Sequence, residues 1–172
     1  MSSLIQYLNE IKLNPECLRP EQCPCCGKSG LWLHGCYPRK ADRSSSQDES
    51  LNPFFIQRFF CPHCRRTCSV LPECLPPRRW YLWEVQQAAL VLLLAGKSLY
   101  AAAKELTPSR QTLGRWRDCF VKQLYLHKDA LCNHLADLGR TTGFSDFWVA
   151  CLKELSLAQA MRLCHVSGVP IP

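Results

Sequence analysis

The chain has 172 residues, with 21 Lys and Arg against 14 acids and a formal charge of +7. Hydrophobic residues make up 47% and aromatics 10%, enough for one or two small packed domains, which excludes a globally disordered chain. The 13 cysteines, an odd count spread through helical and loop segments, argue against a secreted disulfide framework and for reduced, metal-capable thiols inside the cell.

Residues 2–13 predict a short amphipathic helix, with Ser3 as its cap and Leu4, Ile5, Leu8 and Ile11 along one face. No basic leader or long apolar run opens the chain, so nothing there marks it for export. ECLRPEQCPCCGKSG reads as loop and knuckle, and Leu31 to Tyr37 as a strand. The polar ADRSSSQDES stretch predicts a mobile loop near 38–53. Phe54 to Phe60 is the clearest strand, and CPHCRRTCSVLP is a second knuckle followed by a short strand.

Helical character begins at Trp80. A mostly apolar helix runs to Ala95 and closes at Gly96, Ser98 caps a short helix over 99–106, and Thr107-Pro108 breaks it. Ser109 caps a helix running to about 135, a Gly-rich interruption covers 139–143, and residues 145–164 predict one last amphipathic helix. The longest uncharged apolar stretch, Val85 to Gly96, is too short to cross a bilayer. The expected fold class is α+β, a small zinc ribbon followed by an all-α segment. Its expected divisions are 1–79, 80–138 and 139–172.

Cys23-x2-Cys26 and Cys61-x2-Cys64 form two knuckles. Two thiolates three positions apart at a tight turn reach one ion about 2.3 Å away, and two such pairs make a closed S4 site. Spacing therefore predicts one structural Zn2+ held by Cys23, Cys26, Cys61 and Cys64. Cys25 inside the first knuckle has poor spacing for the same tetrahedron, and His63 reads as a solvent-facing knuckle residue. Cys17, Cys36, Cys68 and Cys74 read as core filler. Cys119, Cys132, Cys151 and Cys164, with His127, His134 and His165, lack knuckle spacing.

Residues 83–120 have the rhythm of a helix-turn-helix unit. On its last helix Leu113, Trp116, Phe120 and Leu124 share one face, while Gln111, Gly114, Arg115 and Asp118 share the other with Arg110 beside them. Gln and Arg suit bidentate contacts to base edges, and Ser109 and Thr112 at the helix start suit phosphate. Lys97 in the preceding turn joins this DNA-contacting set. Arg58, Arg65, Arg66, Arg78 and Arg79 face a single acid, Glu73, across residues 58–79, a basic strip for a phosphate backbone.

CPCCG, FFIQRFFCPHCRRTCSVLP and SLYAAAKEL-TPSRQTLGRW together resemble the N-terminal zinc-ribbon and helix-turn-helix part of bacterial insertion-sequence transposases and related mobile-element proteins, over about residues 20–120. The resemblance implies binding to double-stranded DNA at element ends, in the bacterial cytoplasm at the nucleoid. By position it makes Cys23, Cys26, Cys61 and Cys64 the zinc ligands and puts Ser109, Arg110, Gln111, Thr112 and Arg115 on the recognition helix. The turn departs from the family's pattern at Thr107-Pro108. The transposase's catalytic part, carboxylates holding two Mg2+ on a mixed α/β core, has no counterpart here. After residue 120 only Asp129, Asp137, Asp146 and Glu154 remain as acids, with no strand series. The expectation is a zinc-dependent DNA-binding module of targeting, accessory or regulatory type, without catalytic activity. The alternative is a zinc-ribbon protein-interaction adaptor. Its docking surface, for a second copy or another protein, would be a stripe of Phe147, Trp148, Cys151, Leu152, Leu155 and Leu163 on the C-terminal helix.

Overall fold

A computed structural model describes residues 4–40, 53–77 and 81–172. The fold is α+β, a three-stranded antiparallel sheet followed by helices. The chain divides into two compact units, Met1–Leu82 and Trp83–Pro172.

In the first unit α1 (Leu4–Leu13) leads through a 3-10 turn (Pro15–Leu18) to β1 (Trp32–Arg39), β2 (Phe54–Phe60) and β3 (Thr67–Ser69). Strand order is β1-β2-β3, and the aromatic run of β2 takes the centre. Phe54, Ile56 and Phe59 are buried there with Tyr7, Leu18, Leu31 and Leu75. Burial of aromatic side chains is the main force available to so small a sheet. Pairing runs from Trp32↔Phe60 to Arg39↔Phe54, with a bulge between Leu33 and Cys36. Gly35, at φ 69°, supplies the left-handed residue in that bulge. The buried Gln57 is satisfied at this irregularity. Its backbone N–H donates to the Tyr7 hydroxyl at 3.2 Å, and its side-chain amide donates to the Gly35 carbonyl.

In the second unit α2 (Trp83–Leu94), α3 (Leu99–Glu105), α4 (Arg110–Lys122) and α5 (Leu124–Cys132) are followed by a 3-10 turn (Ala136–Arg140), α6 (Phe144–Glu154) and α7 (Leu157–Val166). The apolar α2 contacts α3, α4, α6 and α7. Phe120, His127, Phe147 and Trp148 form the aromatic centre of the core, with ring centroids 5.0–6.2 Å apart.

Four expectations change. The helix expected from Ser109 to about 135 breaks at Gln123, whose φ of −97° and ψ of 8° end α4 and start α5. The single helix expected over 145–164 is two, because Ser156 starts α7 with a capping box closed by Gln159. The stripe offered as a docking surface lies largely inside the unit: Phe147, Trp148 and Cys151 are fully buried and Leu152, Leu155 and Leu163 half-buried. Residues 139–172 thus pack with 83–138 in one unit rather than standing apart. Of the loop expected near 38–53, Pro38 and Arg39 belong to β1, while 41–52 lie outside the described residues, as does the Ser3 cap. No helix among the described residues is long and apolar enough to cross a membrane.

Candidate metal centre and helical face

Each knuckle is built by the same pair of backbone hydrogen bonds. The Cys23 N–H donates to Lys28 O and the Gly27 N–H to Cys23 O, both at 2.8 Å. In the second knuckle the Cys61 N–H donates to Arg66 O and the Arg65 N–H to Cys61 O, both at 2.9 Å. The turn needs a left-handed residue after its second cysteine. Gly27 provides it at φ 69° without strain, whereas Arg65 adopts it at φ 56° despite its Cβ.

These turns bring the Sγ atoms of Cys23, Cys26, Cys61 and Cys64 within 4.8 Å of one another. Cys23 lies 3.7 Å from Cys64, and Cys26 3.7 Å from Cys61. Such separations are far beyond a disulfide bond of about 2.05 Å. They match the edges, about 3.8 Å, of a tetrahedron with 2.3 Å metal–sulfur arms. The arrangement therefore fits a metal ion bound by four sulfurs, which leaves no coordination position for substrate. The backbone N–H groups of Cys25 and Cys26 bring the Cys23 thiol down to about 7, the former 3.4 Å from the sulfur. Burial, followed by the neighbouring thiols, pushes Cys64 up to about 12. Cys25 is exposed and takes no part in the cluster; its sulfur accepts from the Arg66 guanidinium at 3.2 Å. His63 is exposed. Among the described residues no other group of three or more His, Cys, Asp or Glu has metal-binding geometry.

Ser109 caps α4, its hydroxyl accepting from the Thr112 N–H at 3.3 Å. Leu113, Trp116 and Phe120 face the core. Ser109, Arg110, Gln111 and Arg115 are exposed together at the start of the helix, with Thr112 half-buried. The turn before them, Leu106 to Ser109, is anchored by the buried Pro108. Asp118 pairs with its neighbour Arg117 at 2.9 Å. Lys97 is engaged by Glu105 at 2.6 Å, tying the end of α2 to the end of α3, so it is less free than the sequence suggested. Arg65 and Arg66 are exposed on the second knuckle, and Arg58 lies over the Tyr37 ring at 6.0 Å. Arg78 and Arg79 lie outside the described residues.

Residues 23–116 match the family described as "Domain of unknown function (DUF6431)". The match opens on the first of the four cysteines and closes at Trp116 in α4. No curated protein and no solved structure matches.

Proposed function

Since the chain belongs to the DUF6431 family, whose domain takes in the four-cysteine centre, α2, α3 and the first half of α4, we propose that it is a zinc-dependent double-stranded DNA-binding protein. The observation that carries this reading is the exposed start of α4. There Arg110, Gln111 and Arg115 stand on the solvent side of a helix whose other side is fixed by Leu113, Trp116 and Phe120. Two helices joined by the four-residue turn 106–109 support a helix-turn-helix assignment, with α4 as the helix that enters the major groove. Arg110 and Arg115 then supply guanine or phosphate contacts, Gln111 an adenine contact, and Ser109 with the first free N–H groups a phosphate contact.

The four thiolates suit zinc, which in a closed S4 site contributes structure and no chemistry. Its work is to join the two knuckles and with them the sheet. Arg65 and Arg66 add electrostatic attraction for the backbone. This reading places the module among the targeting or accessory parts of mobile-element proteins, in the bacterial cytoplasm at the nucleoid, and assigns it no catalytic step.

Anisotropy of zinc-quantified protein on random duplex DNA, from about 50 to 300 mM salt, tests the reading. The logarithm of affinity should fall linearly with the logarithm of salt concentration. Arg110→Ala with Arg115→Ala should weaken binding at least tenfold while the fold is kept. Absence of binding at the lowest salt by folded protein carrying one zinc would overturn it.

A further inference from the structure

Trp32 and Phe60 are directly paired across β1 and β2, and Phe60 with Thr67 across β2 and β3. Directly paired residues project from the same face of a sheet. The Trp32 and Phe60 rings lie 6.3 Å apart, and His34 joins them 5.6 Å from Phe60. Trp32 is 60% exposed. Single exposed aromatics are ordinary, but a cluster of three rings on one face led by an open indole is a binding feature.

The segments that build the knuckles and the sheet carry charge of one sign. Residues 23–40 and 53–72 carry Lys28, Arg39, Lys40, Arg58, Arg65 and Arg66 and no Asp or Glu. Four thiolates around a divalent ion bring a net charge of about −2, which these cations more than offset. Flat π faces beside the exposed Arg65 and Arg66, which directly precede Phe60's strand partner Thr67, match a polyanion that presents bare aromatic rings. A duplex keeps its bases stacked inside, whereas a single strand offers a phosphate and an open base face at every nucleotide.

We propose that the open end of the ribbon sheet, formed by Trp32, His34 and Phe60, binds single-stranded DNA by stacking its unpaired bases. Arg65 and Arg66 on the adjoining knuckle supply phosphate contacts. Duplex binding by α4 is not a premise of this site, since the residues involved belong to different units.

The test uses the full, zinc-loaded chain and fluorescently labelled 15-nucleotide probes at about 50 mM salt. Oligo-dT should bind wild type well above an abasic strand of the same length and charge. Trp32→Ala should weaken oligo-dT binding roughly 5- to 100-fold and leave the abasic strand unchanged, while Trp32→Phe should restore most of the loss. Arg110→Ala with Arg115→Ala should leave the preference for oligo-dT over the abasic strand as it is, so failure of the α4 reading and failure of this one are read separately. Zinc content and near-ultraviolet circular dichroism establish that each variant is folded. Equal binding of oligo-dT and abasic strand by wild type, or indifference of oligo-dT to Trp32→Ala, would overturn the proposal. Tighter binding of oligo-rU than of oligo-dT would overturn its assignment to DNA.

Discussion

Gly27 and Arg65 occupy the same place in two near-identical turns, and only one of them is suited to it. A left-handed non-glycine residue costs about 1–2 kcal/mol, part of which glycine gives back through its freer unfolded chain. Arg65→Gly should therefore raise the stability of the metal-loaded protein by about 0.5–1 kcal/mol, read as a shift in the denaturation midpoint. Gly27→Ala should lower it by a similar amount although open space surrounds the added methyl. His127 is a second site where one atom matters. Its Nε2 lies 3.2 Å from the Pro170 carbonyl, while Nδ1 is buried without a partner among the described residues, and burial lowers its pKa. Below about pH 6.5 the unfolded chain takes up the proton first. The stability His127 contributes is thus complete above that pH and is lost as pH falls towards the lowered folded value. Hydrogen exchange in α5 and α6 should quicken across that window, and His127→Phe should flatten the response. The clustering of the four cysteines was legible from spacing alone, because knuckle geometry is local. Arg65's strain was not, since an arginine at that place gives no sign of a positive φ.

At the scale of elements, β2 is legible to the residue because its aromatic run is bounded by Pro53 and Cys61. The break at Gln123 is hidden for a physical reason. Leu113, Trp116, Phe120, Leu124, His127 and Leu131 keep helical spacing straight through it, so periodicity reports one helix where there are two. The start of α7 is readable, since Ser156-Leu157-Ala158-Gln159 has the capping-box form, although the apolar stripe runs straight across it. Ser156→Ala should cost about 1 kcal/mol and fray α7 first, which amide exchange would locate. Ser109 serves as cap and as a proposed phosphate contact, and Ser109→Asp separates the two. Asp is an equally good cap, so thermal stability should hold within about 0.5 kcal/mol, while the added charge should weaken duplex binding several-fold. Equal affinity would remove Ser109 from the contact set.

Across the whole molecule the four-cysteine centre and the helices belong to different parts. β3 has three residues, and the unit around the cysteines has only a small core. Without its ion such a ribbon lacks the binding free energy that structural zinc supplies to folding. Chelation should abolish the slowly exchanging amides of β1 to β3 while most of the far-ultraviolet helical signal persists. A sheet that survived metal removal would contradict this. Sequence alone marked the passage from sheet to helices, because strand-forming aromatics give way to an unbroken apolar helix. The inclusion of α6 and α7 in the same unit as α2 was not legible, since it depends on contacts between residues far apart, such as the Gln87 side chain accepting from the Leu157 N–H at 2.8 Å. The bonds internal to each knuckle have one more consequence. Each pair of sulfurs is arranged by its own turn, so the ion has only to close the stretch of chain between the turns. Closure entropy grows as the logarithm of length. Ten residues inserted among 41–50 would cost about 0.2 kcal/mol of metal affinity by that scaling. The β1–β2 connection is therefore a place where the chain can grow, accept a graft or carry a label at almost no cost to metal binding at the four cysteines.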